Sequence, residues 1–246
     1  MKTNLIFLIF ISIMCSTAFA KSPITILRGQ DFPPYHFLEK SGEPTGFIIE
    51  IIQAVADEIN IEIQFEQYPW SRCLRMMEAG KADAMMNLFM TEKRKKFLYF
   101  SNNILVYEIN QFFKRKQTLI QFHGDLSTLL DSRIGAIRNY SYGSDFDSLD
   151  FKNVFRLETE TTLIKALLNK RCDLIIGNDV VIRMLINKMG VGNTVEPVFP
   201  IVSKEPLYIG FSKILGHKKL SENFSEALHR FRNNSAYENL LKRYQQ

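Results

Sequence analysis

Arg94 lies in the run Lys93-Arg94-Lys95-Lys96, inside the stretch MTEKRKKFLYFS (Met90–Ser101). A guanidinium is always charged and presents parallel N–H donors in a planar fork, which matches a carboxylate. Thr91 reads as a helix N-cap with Glu92 as the first helical residue. The four cations then crowd a first turn where the helix dipole favours negative charge, and each costs a few tenths of a kcal/mol, up to about 1. A local rule broken in this way marks a candidate functional position. Other chemistry finds no support. The histidines (His36, His123, His217, His229) are scattered without metal-ligand spacing. There is no G-x-S-x-G, no H-E-x-x-H and no phosphate-binding glycine loop. Cys73 and Cys172 lie far apart in sequence and read as two unpaired, buried thiols.

The chain that positions Arg94 opens with an export signal. Lys2 precedes the apolar run LIFLIFISIM (Leu5–Met14), and Ala18-Phe19-Ala20 supplies the small-residue end, so cleavage is expected after Ala20. The run is shorter than the roughly 20 apolar residues that span a bilayer. Cys15 follows the bulky Met14, which argues against a lipoprotein site. The mature product is therefore expected in the periplasm, soluble, with a net charge reduced from +5 to +4 by the loss of Lys2. Export also removes a nucleic-acid reading of KRKK.

The first half of the mature chain alternates strand and helix. ITILRG (Ile24–Gly29) is a strand, and the two prolines of FPPYHF fix a rigid turn. GFIIEIIQAVADEI (Gly46–Ile59) has helical periodicity, and IEIQFEQY (Ile61–Tyr68) alternates as a strand should. WSRCLRMMEAG (Trp70–Gly80) is a helix closed by glycine, and ADAMMNLF a buried strand. This order predicts an α/β fold with a parallel-type central sheet. After a long extended run (Ile104–Arg115) a second series follows: RIGAI, YGSDFDSL, NVFRL, TTLIKALLNK, CDLIIG and DVVIRMLINKMG. TVEPVFPIV and EPLYIGFSK are extended, and His217–Tyr244 suits two surface helices. The expected division is 21–108 with 207–246 as one lobe and 109–206 as the other.

Taken together, these residues resemble the extracytoplasmic solute-binding proteins of family 3, which include polar amino-acid receptors of ABC importers. The resemblance rests on FPPYHF…GEPTGFIIEII, on PW…L…AGKADAMM, on TEKRKKFLYFS and on RIGAI with LLNKRCDLIIGND. It covers nearly all of the mature chain, and the T-x-x-R element is its most specific part. It implies a two-lobed periplasmic binding protein fold (type II), with helices on both faces of the sheets and a two-stranded hinge. It also implies capture of a small amino acid or related carboxylate by lobe closure, for delivery to an ABC permease in the inner membrane. No enzymatic activity, cofactor or metal is expected, and the protein is expected to be a monomer.

The resemblance assigns Arg94 to the ligand's carboxylate, helped by free N–H groups of the helix start beside it. Lys93, Lys95 and Lys96 are read as solvated. Phe32 falls where the family stacks an aromatic on its ligand, with Tyr35 near it. Trp70 falls at the cleft edge, and Arg72 either points into the same cleft or lies on the surface. Asn87 and Phe89 precede the arginine turn with backbone facing the carboxylate, and Ser141 falls where a Gly-Thr pair usually donates to it. Asp83 and Asp173 are read as turn acids. Three positions depart from the pattern. Phe89 replaces a small hydroxyl residue, and Asn139-Tyr140-Ser141 replaces the Gly-Thr pair. Asn178 stands where an acid usually binds the ligand's ammonium, so either Asp179 next to it takes over or that partner is neutral. Two other roles share the scaffold: a ligand-sensing receptor for a membrane signalling protein, and a dehydratase-like enzyme. The enzyme would need a placed acid in the cleft, for which Glu50, Glu66 and Asp179 are unconvincing.

Overall fold

A computed structural model describes residues 22–244, so the expected leader lies outside the described residues. Strand β1 (Ile24–Arg28) is buried at every position but Thr25, as a β-branched run in a sheet covered on both faces should be. The prolines that follow are the tip of a turn closed by a bridge between Phe32 and His36. A small hairpin, β2 (Phe37–Leu38) with β3 (Pro44–Thr45), then leads to helix α1 (Phe47–Glu58). Gly46 begins α1 at φ 116°, and a Cβ there would lie 2.7 Å from the Tyr35 carbonyl oxygen. Glycine alone enters this conformation without penalty. Gly46→Ala is expected to cost about 2 kcal/mol or more, seen as a lowered melting temperature. An unchanged melt would mean that the Tyr35–His36 backbone yields freely.

The first series continues through β4 (Ile63–Gln67), α2 (Trp70–Glu78), β5 (Ala84–Leu88), α3 (Glu92–Lys95) and β6 (Leu98–Phe100). Strand β7 (Val106–Arg115) leads into the second: a 3-10 turn (Leu126–Leu129), β8 (Arg133–Ile137), α4 (Ser144–Asp147), β9 (Asn153–Leu157), α5 (Glu160–Leu168), β10 (Leu174–Asn178) and α6 (Asp179–Lys188). Strand β11 (Val195–Ser212) returns, followed by α7 (Lys218–Arg232) and α8 (Ser235–Tyr244).

Two α/β half-sheets result. In one, β1 lies between β4 and β5 and is parallel to both. In the other, β8 lies between β10 and β9, again parallel to both. β11 joins them, pairing antiparallel with β5 and β6 at its C-terminal end and with β7 along most of its length. The segments expected as two extended pieces are thus one strand, with a register shift between Val198 and Ser203. Alternation along β7 and β10 sends Phe112, Leu174 and Ile176 into one core and Phe113 and Ile175 into another. The first half-sheet is likewise packed on both faces, by α1 and α7 on one side and by α2 on the other. This two-lobed α/β architecture is the expected fold class. Among the described residues no helix is long and apolar enough to cross a membrane, and no His/Cys/Asp/Glu group could hold a metal ion. Cys73 and Cys172 are free and buried, with thiol pKa values pushed up to about 11 by burial.

Candidate functional site

The cation run divides as expected: Arg94 is 5% exposed, whereas Lys93, Lys95 and Lys96 are exposed. The Thr91 side chain accepts from the Arg94 backbone N–H at 3.3 Å and so caps α3. The helix behind that cap is a single turn. Its macrodipole is correspondingly small, which corrects the share expected of the helix start, and Lys95 is offset by Glu92 at 2.6 Å. The Arg94 guanidinium donates through Nη1 to the Phe89 carbonyl (3.0 Å) and through Nη2 to the Asn139 carbonyl (3.2 Å). Among the described residues no carboxylate forms an ion pair with it. Burial pulls its pKa down to about 10, against the pull of Asp147, Tyr140 and Glu108, so it is charged at neutral pH.

Phe89 belongs to the first series and Asn139 to the second, so Arg94 bridges the two. Trp70 does the same: its indole N–H donates to the Asn139 carbonyl (3.1 Å), its ring meets Tyr140 edge-on at 5.2 Å, and Arg94 lies over it at 5.5 Å. Asn139 achieves this with a left-handed backbone (φ 61°), and its amide donates to Ser71 Oγ at 3.0 Å. Asparagine tolerates that conformation better than other non-glycine residues, which explains how it stands where the pattern has glycine. Asn87, at φ 64°, makes the corresponding bend on the other side. Between these walls is a cavity of about 20 Å³, room for one water molecule, bordered by Phe32, His36, Trp70, Asn87, Phe89, Arg94, Glu108, Tyr140 and Ser141.

Two buried acids lie at or near this cavity, and Glu108 borders it with Arg94. Glu108 is 6% exposed and Glu160, the first residue of α5, is 7% exposed. Desolvation pushes the Glu108 carboxyl up to about 8, the nearby Glu160 adding to it, and desolvation pushes Glu160 up to about 7. Asn178 faces Glu108 and Tyr35 and draws the pKa of each down, though Tyr35, above all through burial, still rises to about 12. Tyr140, whose ring is partly exposed, turns its buried hydroxyl toward Glu160. His36, buried beside Arg28, is held neutral down to about 3. Among the described residues, the buried side-chain atoms without a hydrogen-bond partner are His36 Nδ1, Asn87 Oδ1, Asn110 Oδ1, Glu160 Oε1 and Asn178 Nδ2. All sit in segments that converge on this cleft, where a buried unpaired polar atom is costly.

These groups predict opposite pH effects on stability. Glu108 and Glu160 keep protons that the unfolded chain loses near 4.5. Their contribution is full below that value and is lost as pH rises toward 8. His36 stays neutral where the unfolded chain charges below 6.5, so its contribution is full above 6.5 and lost as pH falls toward 3. Above pH 6.5 only the acids act. Scanning calorimetry should therefore show the melting temperature falling from pH 6.5 to 8.5, with a smaller slope in Glu108→Gln; a flat profile would contradict buried, protonated acids.

Of the sequence-predicted residues, Phe32, Trp70, Asn87, Phe89, Arg94 and Ser141 all border this small cavity. Ser141 Oγ is engaged as donor to the Asp147 carboxylate. Tyr35 packs against Phe32 at 5.5 Å and, with Asn178, lies just behind that border. Asn178 keeps its register and N-caps α6, Oδ1 accepting from the Val181 N–H at 3.1 Å. Two candidates are corrected. Asp179 does not replace Asn178 in the cavity wall: it accepts from Arg183 at 2.7 Å in the first turn of α6. Arg72 is exposed and stacks on the Tyr68 ring at 4.3 Å, because the helical step that buries Ser71 and Cys73 turns it outward. Asp83 and Asp173 tie strands together as turn acids, through Thr25 N–H and Arg133 respectively. Glu50 pairs with Arg243 and Tyr244, and Glu66 accepts from Tyr68. Glu108, Glu160 and His36 are not among the predicted residues. The signal for Glu108 is strand parity, since it shares the inward face of β7 with Asn110 and Phe112.

Comparison with known proteins agrees with this architecture. A probable histidine-binding protein of Neisseria gonorrhoeae is 23% identical over 224 residues, covering 89% of this chain and 81% of that one. The probable amino-acid-binding protein YxeM of Bacillus subtilis (strain 168) is 24% identical over 220 residues, covering 88% and 81%. Among solved structures, a histidine kinase sensor domain with similarity to periplasmic binding proteins superposes with a TM-score of 0.79 at 20% identity, covering 91% of this chain and 96% of that one. The profile of the bacterial extracellular solute-binding proteins, family 3, matches residues 24–246, and the chain belongs to that family.

Proposed function

We propose that the protein is a periplasmic receptor that closes two lobes, 21–108 with 207–246 and 109–206, around a small α-amino acid. It then presents the closed form to an ABC importer. The observation that carries this reading is the buried Arg94, whose hydrogen bonds go to two carbonyls and not to a protein carboxylate. A buried charge without a counter-charge costs several kcal/mol, and a ligand carboxylate supplies one. The relatives' names, histidine-binding and amino-acid-binding, support the ligand class. With so little space between the walls, entry requires the contacts of Trp70 and Arg94 with Asn139 to part, and closure re-forms them around the ligand. Ligand binding favours the closed form by its differential affinity for it. The protein acts as a monomer, exported with its leader removed after Ala20.

Calorimetric titration of the purified mature protein with the twenty L-amino acids tests this. At least one should bind with a dissociation constant near micromolar, about 8 kcal/mol; none binding below millimolar would refute it. The likeness to a kinase sensor domain favours a second reading, in which the closed form signals instead of delivering cargo. Deleting the gene decides between them. Loss of radiolabelled amino-acid uptake supports import, and intact uptake supports sensing.

A further inference from the structure

We propose that Glu108 and Glu160 form the cation subsite of the cleft, taking the ligand's α-ammonium and giving up a shared proton as it arrives. The proposal rests on the amino-acid-receptor reading and replaces the acid that Asn178 lacks with two acids from elsewhere in the fold. Glu108 comes from strand β7 and borders the same cavity as Arg94. Two residues on, Asn110 pairs in register with Asn178 of β10, so the acid and both amides share one wall. Glu160 opens α5, and its Oε1 has no hydrogen-bond partner although the residue is 93% buried, as its 7% exposure states. Asn178 Nδ2 is likewise buried and, although it faces Glu108 and Tyr35, lies within full hydrogen-bond reach of neither. His36, from the Phe32 turn, borders the same cavity as Glu108 but is held neutral by burial, and among the described residues no lysine borders it. The groups facing the pair are Tyr35 from the Phe32 turn, Arg94 from α3, Tyr140 and Tyr142 from the β8–α4 loop, and Asn178 from the end of β10. Arg94 is the one cation among them, and a ligand carboxylate would neutralise it.

Two buried acids that share a single nearby cation hold protons because ionisation is costly there. With carboxyls raised to about 8 and about 7, the free protein at pH 7 retains roughly one proton or more on the pair. An ammonium placed between the carboxyls stabilises their ionised form, so a proton leaves to solvent as the cation binds. The balance is one proton lost to solvent: the incoming zwitterion is neutral, its carboxylate meets Arg94, and its ammonium meets the two carboxylates, which together carry one more negative charge than before. Affinity for the zwitterion must then rise with pH while the ammonium itself remains charged.

The test is calorimetry of the mature protein at pH 7 in phosphate and in Tris, whose ionisation enthalpies differ. The probes are the twenty L-amino acids, each against its α-desamino acid. The expected result is release of about one proton per bound amino acid, none for the desamino acid, and amino-acid affinity at least tenfold higher at pH 8 than at pH 6. Glu108→Gln and Glu160→Gln should each weaken the amino acid at least tenfold and reduce the proton count, leaving the desamino acid within threefold. The proton count on the unmodified protein stands even if a variant fails to fold. Amino-acid binding without proton release, or with affinity independent of both glutamates, overturns the subsite and leaves the receptor reading intact. Binding of desamino acids alone does the same while narrowing the receptor to carboxylates. Binding of neither probe overturns the receptor reading itself.

Discussion

Arg94→Ala is expected to weaken the best-bound amino acid by about 100-fold or more while moving the melting temperature by only a few degrees. Each hydrogen bond between charged partners is worth about 1.5–3 kcal/mol, and a guanidinium can make two to one carboxylate. The small effect on stability follows from opposing terms. The substitution removes a desolvated charge, which is favourable, and strands the Phe89 carbonyl, which is not; the Asn139 carbonyl keeps the Trp70 indole N–H. A structural ion pair would behave differently, since removing one partner leaves an uncompensated buried charge worth about 3–5 kcal/mol; Arg94 has no such partner. Arg94→Lys should recover little affinity, because an ammonium keeps the charge and loses the fork. Titration calorimetry and a thermal melt on the same samples read both effects. Equal affinity in the variant would remove Arg94 from the site.

Trp70→Ala carries the second large effect, and it falls on stability and closure together. The ring is 8% exposed, packs against Gly29 and Tyr140, and its N–H reaches across to Asn139. Truncating a buried tryptophan costs about 3–5 kcal/mol. At roughly 2–4 °C per kcal/mol for a chain of this size, the melting temperature should drop by about 6 °C or more. Part of that packing exists only across the cleft, so affinity should fall at least tenfold as well. Trp70→Phe keeps most of the packing and loses the hydrogen bond. It should melt close to the parent and still bind more weakly, which separates the bridging role from core filling. If Trp70→Ala lowers the melt without touching affinity, the tryptophan is core alone.

Those two residues were readable in the sequence because each breaks or singles out a local pattern. Arg94 stands in a cation run at a capped turn, and Trp70 is the only tryptophan in the chain. The strand and helix order was readable for a related reason: segments such as FIIEIIQAVADE bury a repeating face, and periodicity is a one-dimensional record of burial. Glu108 and Glu160 were not readable in this way. Strand parity places Glu108 on the Phe112 face of β7, but gives no sign that this end of the face meets another lobe, because that depends on a partner far away in sequence. Asp179 and Asn178 show the reverse error. The family pattern asks for an acid near that point, and the nearest acid is engaged by Arg183 one turn along the same helix. Likewise the register shift in β11 between Val198 and Ser203 depends on pairing with β7; Pro200, which has no N–H for the ladder, marks the place but not the partner.

The most direct measurement is a crystal structure of the mature protein with its tightest-binding amino acid. The expected result is one ligand between the lobes, its carboxylate oxygens about 2.7–2.9 Å from the Arg94 guanidinium nitrogens, with Trp70 and Asn139 closed over it. A ligand bound elsewhere, or bound in the cleft with Arg94 still engaged only by carbonyls, would contradict the proposed function.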